Sequence, residues 1–177
     1  MQEIEEMTGP GNKKWWGPRI WRILHSLAEI SDRVDCGPAW RTALTTTADM
    51  LPCAICRTHF ADGIRNIPLR IGYNPRATLR HHLWALHAGT GGGLSEEGLS
   101  AEYDCSGNRG EVLRVAGGLI EEVVTALRDG GVYDRFTVGR IITWNRTLHT
   151  LMTLLQTPAP DMSAIRLTNR TGNRRRM

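Results

Sequence analysis

Apolar side chains recur every three or four residues along most of this chain, which is the spacing of one face of an α-helix. The first such series consists of Trp16, Ile20, Ile23, Leu24, Leu27 and Ile30. Pro18 lies where the first turn of that helix would begin, a position that tolerates the missing N–H of proline. Pro38 predicts the start of a second helix, which runs to about Met50, and Pro52 predicts a third, which continues through Ile64.

Three more helices are predicted in the rest of the chain. The fourth takes Thr78 as its N-cap and ends at the glycine tract GTGGG, residues 89–93, because glycine weakens a helix. The fifth runs from Glu111 to Arg128, and a Gly-Gly pair ends it. The sixth covers roughly Tyr133 to Gln156. Because no run alternates strictly between apolar and polar residues, the pattern predicts an all-α bundle.

Composition and charge fit one globular domain with a basic tail. The chain has 177 residues, of which 41% are hydrophobic, enough for a compact core. Its net charge is +4, but residues 166–177 contain five arginines and no acidic residue, which leaves −1 for the rest. Such a tail could contact nucleic acid, but a solvated end is favoured because it has no aromatic residue. Residues 1–8 are acidic and polar, unlike a secretory signal, and the longest apolar run is far short of a membrane span, so we expect a soluble protein.

Candidate chemistry centres on the stretch LPCAICRTHF, residues 51–60, in which two residues separate Cys53 from Cys56. The other two cysteines, Cys36 and Cys105, are distant in sequence. At the start of a helix, the unpaired N–H groups and the helix dipole stabilise a thiolate. A Cys-x-x-Cys pair in that position can form a disulfide and exchange it with other thiols.

The motif alone leaves two other interpretations open. A zinc site needs four ligands, and His59 with His81, His82 or His87 could complete one. No second Cys-x-x-Cys follows at the spacing of a zinc finger, so a metal site is possible without being indicated. The two cysteines could also be structural or incidental thiols.

Three motifs, in order, resemble the Erv/Alr family of FAD-linked sulfhydryl oxidases, and in particular its compact viral members. The family has a W-G-P-x-x-W-x-x-L-H start, a Cys-x-x-Cys after a proline, and a later L-W-x-x-H-N-x-V-N. This chain has WGPRIWRILH at residues 16–25, PCAIC at residues 52–56 and LWALH at residues 83–87. The resemblance extends from about residue 15 to residue 105 and favours the redox interpretation of the pair.

The resemblance implies a bundle of four or five helices around FAD, with additional C-terminal helices. It implies that Cys53 and Cys56 are the catalytic pair, with Cys53 attacked by a substrate thiolate and Cys56 facing the flavin. Oxygen would accept the electrons and give hydrogen peroxide, and no metal is expected. The residues that would contact FAD are Trp16, Gly17, Trp21, His25, Trp84 and His87.

The chain also departs from the family pattern. Ala88 and Gly91 replace the two asparagines of the third motif, which commonly help to hold the adenine and ribose of FAD. Leu51 replaces an aromatic residue that often precedes the Pro-Cys. Cys105 has no partner downstream, so it could pair with Cys36 or both could be free. Two alternatives therefore stay open: a flavin-free structural or partner-binding protein on the same scaffold, and a zinc-binding module.

The predicted organisation has four parts. Residues 1–14 form a flexible N-terminus, residues 15–109 an oxidase-like domain that binds FAD, residues 110–157 an additional helical region, and residues 158–177 the basic, disordered tail. The additional region is expected to pack on the domain or to form a dimer interface.

The expected partners follow from the apolar helices and from the resemblance. Val112–Leu127 and Phe136–Leu155 offer apolar surface, so we expect a homodimer. Electrons would come from protein dithiols or from a thioredoxin-like partner, with oxygen as the acceptor and no membrane involved. The resemblance to viral members implies a location in the virion and in the host cytoplasm.

Overall fold

The regular elements of the chain are helices. A computed structural model describes residues 9–66, 74–90, 108–130 and 135–159, with the side chains of residues 135 and 136 left out. Within those ranges there are six α-helices and one short 3₁₀ helix and no strand, which confirms the all-α prediction. The elements are α1 (Lys13–Glu29), the 3₁₀ helix (Val34–Cys36), α2 (Gly37–Met50), α3 (Ala54–Asn66), α4 (Pro75–Gly89), α5 (Arg109–Asp129) and α6 (Arg135–Leu155).

Helix α1 begins earlier than its sequence predicts. Asn12 is its N-cap, and the Asn12 side chain accepts a hydrogen bond of 2.8 Å from the Lys14 N–H. Pro18 therefore lies inside the helix, and its placement in the first turn was wrong. The reason is that an asparagine cap satisfies an orphan N–H group upstream, so the helix does not need proline to start it.

Helix α4 also begins at an asparagine. Asn74 accepts a hydrogen bond of 3.2 Å from the Ala77 N–H, and Pro75 occupies the first helical position. Thr78 is not the cap, because its hydroxyl donates to the Asn74 carbonyl instead (2.9 Å). The helix ends at Gly89, as predicted from the glycine tract. Residues 91–93 of that tract lie outside the described ranges, as does Tyr133 at the predicted start of α6.

One hydrophobic core joins all the helices. Helix α1 packs against α4 and α5, while α2 packs against α3 and α6. The fully buried side chains of α5 and α6 face this core; they are Ala116, Ile120, Val123, Leu127, Ile141, Trp144, Leu148, Leu151 and Leu155. The apolar stripes of α5 and α6 are thus used inside the protomer, so they no longer support the predicted homodimer.

Two buried tryptophans are satisfied by hydroxyl groups. Trp40 Nε1 donates to Ser31 Oγ (2.9 Å), and that hydroxyl donates to the Leu27 carbonyl (2.8 Å). Trp144 Nε1 on α6 donates to Thr47 Oγ1 on α2 (2.9 Å), which donates to a carbonyl within α2 (2.7 Å). The second chain of bonds fixes α6 on α2 without an unpaired donor in the core.

We expect Thr47→Val to lower the free energy of unfolding by about 1–3 kcal/mol, because the buried Trp144 N–H loses its acceptor. Thr45→Val is the matched control, since Thr45 lies exposed on the same helix. Urea denaturation of both variants measures the difference. Equal losses from the two substitutions would contradict this role of Thr47.

Arg109 joins the ends of three elements. Its guanidinium donates to the carbonyls of Ile30 (3.1 Å) and Leu155 (2.6 Å) and to Asp32 Oδ2 (2.5 Å). The start of α5 is thereby tied to the ends of α1 and α6, and two orphan C-terminal carbonyls gain a donor.

Helices α3 and α4 approach closely at Gly63. A Cβ atom at this position would overlap the Leu86 Cδ1 methyl group, so a larger residue would displace that side chain. Phe60, one turn earlier on α3, is buried. This packing fixes the helix that carries Cys56 beside the end of α4. None of the described helices has the length and apolarity required to cross a bilayer.

Candidate functional site

The two cysteines of the LPCAIC motif form a disulfide at the start of α3. Cys53 directly precedes the helix and Cys56 lies in its first turn, with Cα atoms 5.1 Å apart. The Cys56 N–H points at Cys53 and donates to its Sγ atom over 3.2 Å. A free N–H at a helix N-terminus stabilises negative charge, so the sulfur of Cys53 lies where a thiolate is favoured after reduction.

The segment before the pair is held by Arg57. Its Nη1 atom donates to the carbonyls of Leu51 (2.8 Å) and Pro52 (3.3 Å), while its backbone N–H donates to the Cys53 carbonyl (2.9 Å). The turn that presents Cys53 is thus bonded to the first turn of α3 by both backbone and side chain.

A cleft with a cavity volume of about 50 Å³ opens between α1, α3 and the end of α4. Its lining residues are Lys13, Trp16, Gly17, Ile20, Trp21, Leu51, Cys56, His59, Phe60 and Thr90. This volume is well below the roughly 300–1,000 Å³ of pockets that enclose a small molecule or cofactor. Cys56 forms part of the wall and Cys53 does not, so the disulfide has one sulfur-bearing residue at the cleft and one outside it.

Three of the residues predicted to contact FAD come together between α1 and α4. The Trp21 and His87 rings are stacked, with centroids 4.1 Å apart and planes 11° apart. His25 Nε2 lies 3.3 Å from His87 Nδ1, within hydrogen-bonding distance. Phe60 on α3 adds a fourth ring, 5.6 Å from that of Trp21. This aromatic cluster connects the cleft to the α1–α4 interface.

The predicted cofactor residues therefore fall into three groups. Trp16, Gly17 and Trp21 line the cleft with Cys56. His25 and His87 pack against the Trp21 ring and do not line the cleft. Trp84 lies on α4 with its ring 5.9 Å from that of His81 and is not part of the cleft wall.

The chemistry of the cleft lining bears on whether a flavin ring can bind there. Trp16, Trp21 and Phe60 provide flat apolar walls beside Cys56, which suits a planar redox ring. Trp16 Nε1 is buried and finds no acceptor among the described residues, so an acceptor supplied by a bound molecule would offset the cost of that unpaired donor. The types of lining residue thus suit the ring end of FAD, whereas the cavity of about 50 Å³ would have to widen to admit it. Because Trp21 and His87 are already in stacking contact, no adenine ring fits between them.

Several cleft residues carried no functional signal in the sequence. Ile20 belongs to the helical stripe of α1, and Phe60 is the last residue of the LPCAICRTHF stretch, in which only the cysteines and His59 suggested chemistry. Lys13 and Thr90 meet only through the fold, where Lys13 Nζ donates to the Thr90 carbonyl (3.3 Å). His59, considered above as a zinc ligand, lies on the cleft wall.

Metal ligands do not converge in the described part of the chain. No group of three His, Cys, Asp or Glu side chains there could hold a metal ion. The rings of His81 and His82 lie 5.8 Å apart on α4. Cys53 and Cys56 are bonded to each other.

Cys36 is a buried thiol that forms no disulfide within the described residues. Its Sγ donates to the Arg33 carbonyl (2.8 Å). Burial, and then the neighbouring Asp35 carboxylate, raise the pKa of this thiol to about 11, so it stays protonated. Cys105 lies outside the described ranges, and its pairing with Cys36 stays a prediction.

His25 is held neutral in the aromatic cluster. Burial, and then the charge of His87, lower the pKa of His25 from 6.5 to about 4. Between about pH 4 and pH 6.5, His25 therefore binds a proton in the unfolded chain but not in the folded chain. Stability from this group is complete above about pH 6.5 and is lost as the pH falls towards 4.

We expect the free energy of unfolding to fall by about 3 kcal/mol from this group between pH 7 and pH 4. In His25→Asn this fall in the free energy of unfolding should be missing. In His149→Asn, the control at an exposed position, the fall should be the same as in wild type. Chemical denaturation at a series of pH values measures the three profiles. Parallel profiles for wild type and His25→Asn would contradict the burial of a neutral histidine.

Comparisons with known proteins add no relative. No protein-family model, curated protein or solved structure matches this chain.

Proposed function

We propose that this protein is an FAD-linked thiol oxidase that forms disulfide bonds in protein substrates. The observation that supports this most strongly is the position of the disulfide. It lies at the N-terminus of α3, with Cys56 in the wall of an aromatic cleft that suits a planar redox ring. A structural disulfide has no need of such a cleft beside it.

The chain's own step is thiol–disulfide exchange. A substrate thiolate attacks Cys53 Sγ and breaks the Cys53–Cys56 bond, which leaves Cys56 as a thiolate. A second substrate thiolate then attacks the substrate sulfur of the mixed disulfide, releases Cys53 as a thiolate and departs as a disulfide. The pair gains two electrons, and the substrate loses two electrons and two protons. Helix α3 favours the exchange because the N–H groups at its N-terminus stabilise the thiolates that form on Cys56 and then on Cys53.

Trp16, Gly17, Trp21 and Phe60 would hold the flavin ring against Cys56. When bound, FAD would supply the redox chemistry that the side chains lack, the transfer of two electrons and two protons from the reduced pair to oxygen to give hydrogen peroxide. The protein's contribution is to position the Cys56 sulfur at the wall of the cleft. His25 and His87 support the Trp21 ring from behind.

Partners and location extend the same proposal. Protein dithiols or a thioredoxin-like protein would supply the electrons, since the described residues contain no further Cys-x-x-Cys. We also propose a homodimer, and activity in the virion and the host cytoplasm, on the resemblance to viral oxidases alone. Contact of the arginine-rich tail with nucleic acid is not favoured.

Oxygen consumption tests the proposal. We expect purified protein supplemented with FAD to consume oxygen with dithiothreitol and to form one hydrogen peroxide per oxygen molecule. The same assay with a monothiol should be slower, because a monothiol resolves the mixed disulfide only by a second encounter. Protein that takes up no oxygen with any thiol, with or without added FAD, would overturn the proposal.

A second candidate is a flavin-free disulfide protein on the same scaffold. The loss of both family asparagines favours it, because neither Ala88 nor Gly91 has a side chain that can hydrogen-bond the adenine and ribose end of FAD. Such a protein would exchange its disulfide with dithiols but would consume no oxygen. The two candidates thus give opposite results in the oxygen assay.

A further inference from the structure

Arg57 occupies a place where a helix disfavours a positive charge. It follows Cys56 in the first turns of α3, where the helix dipole favours acidic residues. The first turn contains no acidic residue. A positive charge at this unfavourable position, next to a candidate site, suggests that the charge has a function there.

The contacts of Arg57 show where its charge is held. The guanidinium turns back past the helix start and donates to the carbonyls of Leu51 and Pro52. Among the described residues it makes no salt bridge, so no carboxylate of that part of the chain neutralises its charge. Both acceptors belong to the turn that leads directly into Cys53.

Two sources of positive potential therefore meet at the pair. One is the helix N-terminus, whose Cys56 N–H donates to Cys53 Sγ. The other is the guanidinium, held against the residue next to Cys53. A disulfide carries no charge and gains little from this potential, whereas a thiolate gains from both sources.

We infer that Arg57 is a positioning residue for the redox pair: it fixes the turn before Cys53 and stabilises the thiolate form of the reduced pair, which makes the disulfide easier to reduce. The inference rests on the proposed thiol chemistry of Cys53 and Cys56 but not on a flavin. In the relevant step, two glutathione thiols give two electrons to the pair, the Cys53–Cys56 bond breaks and glutathione disulfide forms. Their protons pass to the cysteines or, where a thiolate persists, to water.

The test is the equilibrium of the pair with glutathione buffers, read by trapping free thiols in the absence of oxygen. In Arg57→Gln we expect the equilibrium constant for reduction to fall about tenfold, equal to about 30 mV. Arg57→Lys should restore most of it, because it keeps the charge. Arg65→Gln is the matched control: Arg65 is an exposed arginine at the far end of the same helix and should leave the constant unchanged.

Each outcome decides for or against the inference. A wild-type constant in Arg57→Gln would overturn it, and so would an equal loss in Arg57→Lys and Arg57→Gln. Chemical denaturation of the oxidised variants distinguishes this role from a merely structural one. If Arg57 were only structural, its replacement would lower the free energy of unfolding and leave the redox equilibrium unchanged. A protein that binds no flavin and takes up no oxygen even with added FAD, but shows the expected equilibria, would sink the oxidase proposal and leave this inference standing. A pair that dithiothreitol cannot reduce in the folded protein would overturn both.

Discussion

Replacing Cys56 with serine is expected to lower oxygen consumption with dithiothreitol by more than about a thousandfold, as the loss of a reacting nucleophile does in other enzymes. Without the Cys56 sulfur no disulfide can form with Cys53, so the chain cannot take two electrons from a dithiol. Cys53→Ser should be equally inactive, because the substrate then has no sulfur to attack outside the cleft. An oxygen electrode measures the rates with wild type and both variants.

Cys36→Ser is the matched control for these two substitutions. The serine hydroxyl can still donate to the Arg33 carbonyl, as the Cys36 thiol does. Cys36 is buried and lies outside the cleft, so its variant should work like wild type. If Cys56→Ser consumed oxygen as fast as Cys36→Ser, the pair would not be the route of the electrons.

Replacing Arg80 with methionine is expected to lower the free energy of unfolding by about 3–5 kcal/mol, the typical cost of a buried charge left without its partner. The guanidinium of Arg80 on α4 binds both carboxylate oxygens of Glu29 on α1, with Nε 2.8 Å from Oε1. Glu29 is only 6% exposed, so its carboxylate is poorly hydrated once the guanidinium is removed. Guanidinium denaturation measures the loss.

Two further variants separate charge burial from general damage. Glu29→Gln in the Arg80→Met background removes the stranded charge and should recover part of the stability. Arg65→Met breaks an exposed pair with Asp62 on α3 and should cost about 0–1 kcal/mol. An Arg80→Met loss no larger than that of Arg65→Met would show that the buried pair does not hold α1 on α4.

Helix faces could be predicted from the sequence because they depend on local spacing. The series from Trp16 to Ile30 is the buried face of α1, and the series on α5 and α6 enters the same core. Helix starts were harder, because several residues near one end can each act as a cap. Pro18 and Thr78 were acceptable starts by pattern, but Asn12 and Asn74 bond orphan N–H groups directly and decide the boundary.

The candidate site was only partly predictable for a related reason. The pair and its place at a helix start follow from neighbouring residues, and Trp16, Gly17 and Trp21 belong to one motif. Contacts between distant residues leave no mark in local spacing: Lys13 meets Thr90 across 77 positions, and Arg80 meets Glu29 across 51. Only the fold shows that these residues frame the cleft and its supporting interface.

The most direct test of the proposed function is the visible absorption of the purified protein when dithiothreitol is added without oxygen. We expect wild type to show the band of bound flavin, to lose it on addition of the dithiol and to regain it when air is admitted. Cys56→Ser should bind flavin and keep its band under the same conditions. A wild-type protein that shows no flavin band even after incubation with FAD, or a band that bleaches equally in Cys56→Ser, would contradict electron transfer through Cys56.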